Sequence, residues 1–149
     1  MEDINNQIIL VGSYTHSLDD KKRIIFPSVW RHLANDKNQI YLLPHPEKPC
    51  LHMYLKDEMT RRIINLRKEE LDYEEQEAVR SITSTSELLT WDSQGRLRIG
   101  DHLLQHIGSI NQIVLVGVLS RIEIWSEEKF NAAVPKLSDQ VEGIFFNNY

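Results

Sequence analysis

The chain has 149 residues, about one domain's worth, of which 41% are hydrophobic and 26% charged, a balance that excludes a disordered or fibrous protein. Seventeen basic against 22 acidic residues leave a formal charge of −5, which rules out a polybasic tail and unselective attraction to nucleic acid while leaving room for a local basic patch. A single cysteine, Cys50, cannot close an internal disulfide, and the longest apolar run near the start, 8–11, is too short for a signal peptide or membrane span; both fit a soluble cytoplasmic protein.

Ser13 to Leu18 alternates Tyr14, His16 and Leu18 with polar neighbours, the period of a half-buried strand. Asp19 to Lys22 is a turn and Arg23 to Phe26 the returning strand. Pro27 closes that strand and opens a short helix, Ser28 to Ala34, with Val29, Trp30 and Leu33 expected inward. Ile40 to Leu43 is an apolar strand. Three prolines keep 44–49 irregular before Cys50 to Leu55 alternates again. Met59, Ile63 and Leu66 then recur at helical spacing, with Arg61, Arg62 and Arg67 expected on the wet side. Asp72-Tyr73-Glu74-Glu75 has the form of a capping box and predicts a second helix with Val79 and Ile82 on its apolar face. Glu87 to Trp91, Arg96 to Ile99, Asp101 to Ile107, Gln112 to Val116 and Arg121 to Trp125 follow as strand, strand, helix, strand, strand. A last helix is expected from Glu127 to Val134, before Pro135, and the tail's apolar cluster at 144–146 either packs or frays.

The second series repeats the first. At an offset of 73, Asp19 falls on Asp92, Arg23 on Arg96, Phe26 on Ile99, and Gln39–Leu43 on Gln112–Val116. After a two-residue shortening, Leu51–Tyr54 meets Ile122–Trp125. The chain therefore reads as two β-β-α-β-β halves, 8–55 and 84–134, the second carrying the C-terminal helix, with a helical insert at 56–83 and a tail at 135–149. The class is mainly β with helices (α+β). Each half leaves open strand edges that need a partner, and two copies in one chain supply it, which predicts one interlocked barrel with the insert helices outside.

The repeated turns, Asp19-Asp20-Lys21-Lys22-Arg23 and Asp92-Ser93-Gln94-Gly95-Arg96, share the form Asp-x-x-x-Arg at matching places in the repeat. With Gly12–Leu18 before the first and Arg121–Ser126 after the second, the chain resembles the MraZ family over roughly residues 8 to 134. The resemblance implies two SpoVT-AbrB-like halves forming a swapped-hairpin, double-psi-type barrel. It implies a transcriptional regulator, usually a repressor, that binds repeated double-stranded DNA sites upstream of the division and cell-wall gene cluster as a ring-shaped homo-oligomer, in the cytoplasm at the nucleoid. By motif position, Asp19, Arg23, Asp92 and Arg96 are the DNA-binding pairs. Three departures stand out. Lys22 occupies a place where the family usually has Gly, so the first turn is expected to be altered. Gly100 replaces the usual Pro, so the second short helix is expected to start softly. The acidic stretch 69–77 is unhelpful to binding DNA.

The residue chemistry suits the reading. A guanidinium at the start of a strand projects from a rigid base and can grip phosphate or guanine bidentately. An aspartate four residues earlier can accept turn amides and orient it; the plainer alternative is that both pairs only staple their turns. Lys21, Lys22, Arg31 and Arg98 add charge, and 16–33 holds four basic and two acidic side chains on a chain of net −5. Trp30, Trp91 and Trp125 sit in core patterns rather than as stacking platforms. His45, Cys50 and His52 lack a fourth ligand and zinc-site spacing, so no metal and no cofactor is expected. No phosphate loop or nucleophile elbow occurs, and the sequence does not read as an enzyme. The alternative function is an oligomeric interaction module of the same fold without operator binding.

Overall fold

A computed structural model describes residues 8–34, 38–108, 111–133 and 139–146. In chain order the elements are β1 (Ser13–Ser17), β2 (Arg23–Ile25), α1 (Ser28–Leu33), β3 (Ile40–Pro44), β4 (Cys50–Leu55), α2 (Lys56–Arg67), α3 (Tyr73–Thr85), β5 (Glu87–Leu89), β6 (Arg96–Arg98), α4 (Asp101–Ile107), β7 (Gln112–Val118), β8 (Arg121–Ser126), α5 (Glu127–Ala133) and α6 (Asp139–Phe145). The class is mixed α+β, as expected. Val134, where the α5 helix was expected to end, lies outside the described residues, as do 135–138 and 147–149 of the tail.

Strand pairing interlocks the chain. One antiparallel sheet runs β1-β7-β8-β4-β3-β5, and β2 pairs with β6 in a separate two-stranded ribbon. β1 leaves its own neighbours to pair with β7, and β5 does the reciprocal with β3. The central pair aligns Leu51 with Ile124 and Met53 with Ile122, and the ribbon aligns Arg23 with Arg98 and Ile25 with Arg96. Both registers map onto themselves when the repeated segments are exchanged, so a pseudo-twofold axis crosses the sheet at His52/Glu123 and the ribbon at Ile24/Leu97.

Sheet and ribbon share a single core. Leu42, Leu51, Met53, Leu115, Ile122 and Ile124 from the sheet join Ile24, Phe26, Leu97 and Ile99 from the ribbon and its ends, closed by Trp30, Leu103 and Ile107 of the short helices. Each such side chain contributes roughly 1.5–3 kcal/mol by leaving water. Among the described residues no backbone ladder joins ribbon to sheet, so a closed hydrogen-bonded barrel is not what these pairings form. The ribbon strands are only three residues long, and the next amides carry the same pairing one residue further at each end: Phe26 N donates to Gly95 O at 2.8 Å and Ile99 N to Lys22 O at 3.1 Å. Each half's ribbon strand is thus tied to the other half's turn.

Several local expectations change. In α1 only Trp30 is buried, with Ala34 just beyond it; Val29 and Leu33 are 57% and 38% exposed. A helix of six residues has room for one i,i+4 pair against the core, and Trp30 and Ala34 take it. α2 buries no residue, and Arg62 lies not on the wet side but over the Tyr54 ring, 4.4 Å from its centroid. The ring face attracts the guanidinium while Glu58 holds its Nε at 3.0 Å. The Asp72 capping box forms in full at the start of α3. The start of α4 is anchored rather than soft, because Gly100 N donates to Glu87 Oε1 at 3.0 Å, a bond proline could not make.

Candidate nucleic-acid interface

The two Asp-x-x-x-Arg turns are copies down to single bonds. Asp19 Oδ1 accepts from the amides of Lys21 and Arg23, both at 2.9 Å, while Oδ2 accepts from Arg23 Nε at 2.8 Å. Asp92 Oδ1 accepts from the amides of Gln94 and Arg96, again at 2.9 Å, and Oδ2 accepts from Arg96 Nε at 2.6 Å. Backbone bonds close both turns the same way, Lys22 N to Asp19 O and Gly95 N to Asp92 O. The amide of the arginine, ahead of its guanidinium and the second turn amide, holds each aspartate's carboxyl below the usual carboxylate range. Both aspartates are therefore ionised organisers at neutral pH.

The bond from Nε to the aspartate holds each guanidinium plane in place. No described residue takes the terminal nitrogens of Arg23 or Arg96, and the two side chains remain 24% and 31% exposed. Because Ile24 and Leu97 turn into the core, Arg23, Ile25, Arg96 and Arg98 share the outward face of the ribbon. Arg23 lies directly across from Arg98. Arg96, across from Ile25, is a diagonal neighbour of Arg23, with Cα atoms about 7–8 Å apart. Three guanidinium groups thus stand on one three-residue-long patch.

The flanks differ. Lys22 Nζ pairs with Asp101 Oδ1 at 2.6 Å across the halves, so its charge is shared with a carboxylate. Lys22, with Arg98 and His102 behind it, lowers the Asp101 carboxyl. Lys22 also adopts φ +60°, and the turn keeps its form despite lacking glycine, which corrects the expectation of an altered turn. At the second turn Gly95 has φ +78°, and a Cβ there would overlap the Arg31 guanidinium, which packs across it from α1. Arg31 Nε is buried without a partner among the described residues. Lys21 stays exposed beside the first turn.

The other singled-out residues serve the interior. Trp30 meets Tyr14 edge-on at 5.0 Å, Trp91 stacks near Phe26 at 5.2 Å, and Trp125 donates from Nε1 to Glu123 at 3.0 Å. His45 Nδ1 accepts the amides of Glu47 and Lys48, which organises the proline-rich loop and occupies the lone pair a metal would need. Burial, with Arg121 behind it, pushes the His52 imidazole down to about 4, and burial pushes the Cys50 thiol up to about 11. Among the described residues no three His, Cys, Asp or Glu side chains gather as a metal site, and no helix is long and apolar enough to cross a membrane.

Sequence reasoning missed Ile25, Asp101 and the position of Arg31. The repeat held the clue for the first, since Ile25 aligns with Arg98 at the same offset that superposes the arginines of the two turns.

Comparison with known proteins adds an independent line. Residues 83–142 match the family described as "MraZ protein, putative antitoxin-like". The chain is 34% identical over 125 residues to "Transcriptional regulator MraZ" of Clostridium botulinum, covering 82% of this chain and 84% of that protein. It is 35% identical over 126 residues to the protein of the same name from Clostridium beijerinckii, covering 83% and 85%. For that of Alkaliphilus metalliredigens the identity is 32% over 123 residues, covering 82% and 84%.

Proposed function

The chain belongs to the MraZ family, and from that premise we propose that it is a sequence-specific DNA-binding transcriptional regulator. In full, the reading is a repressor of the division and cell-wall gene cluster, acting at the nucleoid in the cytoplasm on repeated DNA sites as a ring of identical subunits. The halves 8–55 and 84–134 are taken as SpoVT-AbrB-like units, and sheet plus ribbon as a swapped-hairpin barrel opened between its layers. The relatives' names support regulation of transcription. The observation that carries DNA binding is the ribbon face, where aspartate-held guanidinium groups stand outward on a pair of short strands.

A two-stranded ribbon fits the major groove of B-DNA, and an arginine there can take guanine O6 and N7 bidentately. Arg23, Arg96 and Arg98 provide the contacts, Asp19 and Asp92 position the first two, and Lys21 adds phosphate attraction at the first turn, where Lys22 contributes only what its pairing with Asp101 leaves. The aspartates act by lowering the side-chain entropy lost on docking, since a free arginine gives up about 0.5–1.5 kcal/mol when immobilised. One subunit of net charge −5 neutralises few phosphates. Several subunits on successive repeats multiply that weak grip through effective concentration, which is what a ring supplies. Exposed apolar side chains favour such assembly: Ile9, Val11 and Leu119 near β1, Leu88 on the edge strand β5, and Ile63, Ile64 and Leu66 on α2.

Gel-shift titration on DNA upstream of the protein's own gene, at two salt concentrations, tests the reading. Retardation that fades with salt and disappears in the Arg23→Ala, Arg96→Ala double variant is the expected result. Absence of retardation in the parent favours the interaction module. Sedimentation of the free protein as a strict monomer removes the ring.

A further inference from the structure

The ribbon's twofold symmetry is broken at one pair of positions. Exchange of the halves carries Arg23 onto Arg96 and Ile24 onto Leu97, but it carries Ile25 onto Arg98. One end of the outward face therefore presents two guanidinium groups side by side, Arg23 against Arg98. The other presents Arg96 against an isoleucine that is 50% exposed. A solitary exposed isoleucine is unremarkable on a protein surface. Here it stands at one end of the ribbon, on an outward face that it shares with Arg23, Arg96 and Arg98.

Half of the Ile25 surface stays open to solvent. Its neighbours along the strand, Ile24 and Phe26, turn into the core. Its cross-strand partner Arg96 has its guanidinium held back toward Asp92. The side chain is thus a rigid, β-branched apolar knob beside a positioned hydrogen-bond donor. On the floor of the major groove each base edge offers donors and acceptors, and the one apolar group is the C5-methyl of thymine.

Resting on the proposed DNA-binding function, we propose that Ile25 is a specificity-determining residue that packs on a thymine methyl next to the base read by Arg96, so that each subunit reads an asymmetric element. Arg98, in the equivalent place at the other end, contacts guanine or phosphate together with Arg23. A site with identical ends satisfies only one end of this ribbon.

The test uses the full-length protein and duplexes that it selects from a randomised pool. Each thymine of the selected element is replaced in turn by deoxyuridine, which removes only the methyl. Wild type is expected to lose about fourfold in affinity at one position per element, the worth of one buried methyl-sized group. Ile25→Ser should bind with that position made indifferent, and Ile25→Val should keep most of the penalty. In Ile25→Arg the selected element should become more nearly palindromic and lose its thymine. Position 25 is exposed, so thermal melting of these variants should match wild type. A uracil scan that is flat in wild type, or unchanged in Ile25→Ser, overturns the inference while leaving DNA binding in place. If wild type selects no duplex, the proposed function falls as well.

Discussion

The first and second turns make the same bonds from different residues in different surroundings. Four hydrogen bonds to the aspartate and its backbone recur in each with nearly equal lengths, yet the residue ahead of the arginine is Lys22 at φ +60° in one and Gly95 at φ +78° in the other. The turn's shape is therefore imposed by the aspartate, which ties down two amides and a guanidinium, and glycine is not required for it. What differs lies outside the turn. A carboxylate from α4 takes the Lys22 ammonium, whereas the flat guanidinium of Arg31 from α1 covers Gly95. In the second turn glycine leaves the space that the Arg31 guanidinium fills.

Exchanging those residues is the sharpest way to break the comparison. Gly95→Lys must take a left-handed conformation and also displace Arg31, and should cost about 2–3 kcal/mol in urea unfolding. A loss under half of that would show that Arg31 moves aside freely.

The same axis crosses the sheet where the halves have diverged to His52 against Glu123, and acid should find that place before it reaches the turns. The imidazole is lowered from 6.5 to about 4, so the unfolded chain takes up its proton first. Stability is complete above pH 6.5 and is lost as pH falls toward 4, on the order of 2 kcal/mol after allowance for the ring's partial exposure. His52→Gln should flatten the melting temperature across that window, whereas the turn aspartates, lowered from 3.8, release their contribution only at still lower pH.

Asp19→Asn and Asp92→Asn keep an oxygen for the amides but lose the charged partner of the arginine. If the aspartates are organisers, both variants should bind DNA about 2- to 10-fold more weakly by gel shift, and about equally. Tighter binding would mean that repulsion of phosphate is their main effect. The smallest change is expected from Lys22→Gly, which relieves the left-handed lysine but loosens the unfolded chain. A net gain below about 1 kcal/mol in urea unfolding is the expected outcome.

Much of the fold was legible because it depends on local signals. Alternation marked β1, β4 and β8, Pro27 marked the start of α1, and Asp72 with Glu75 marked α3 through a capping box that forms as written. The candidate site was legible to the extent that the repeat revealed it: two aspartates and two arginines at equal spacing. Other features escaped because they depend on what a side chain meets across space. Arg62 has a helical position typical of a solvated face, yet Tyr54 from β4 lies beneath it. Lys22 looked like a free cation until α4 brought Asp101 within 2.6 Å.

By itself the sequence determined the duplication, the two turns and the chemistry of their organising aspartates, since all of these are written in short spacings that the backbone must obey. Only the tertiary structure decided that β2 lies against β6 in a register placing Arg98 across from Arg23 and Ile25 across from Arg96. Register between distant strands follows from burying Ile24 and Leu97 together, a nonlocal choice in which a slip of one residue would turn every one of those side chains to the opposite face.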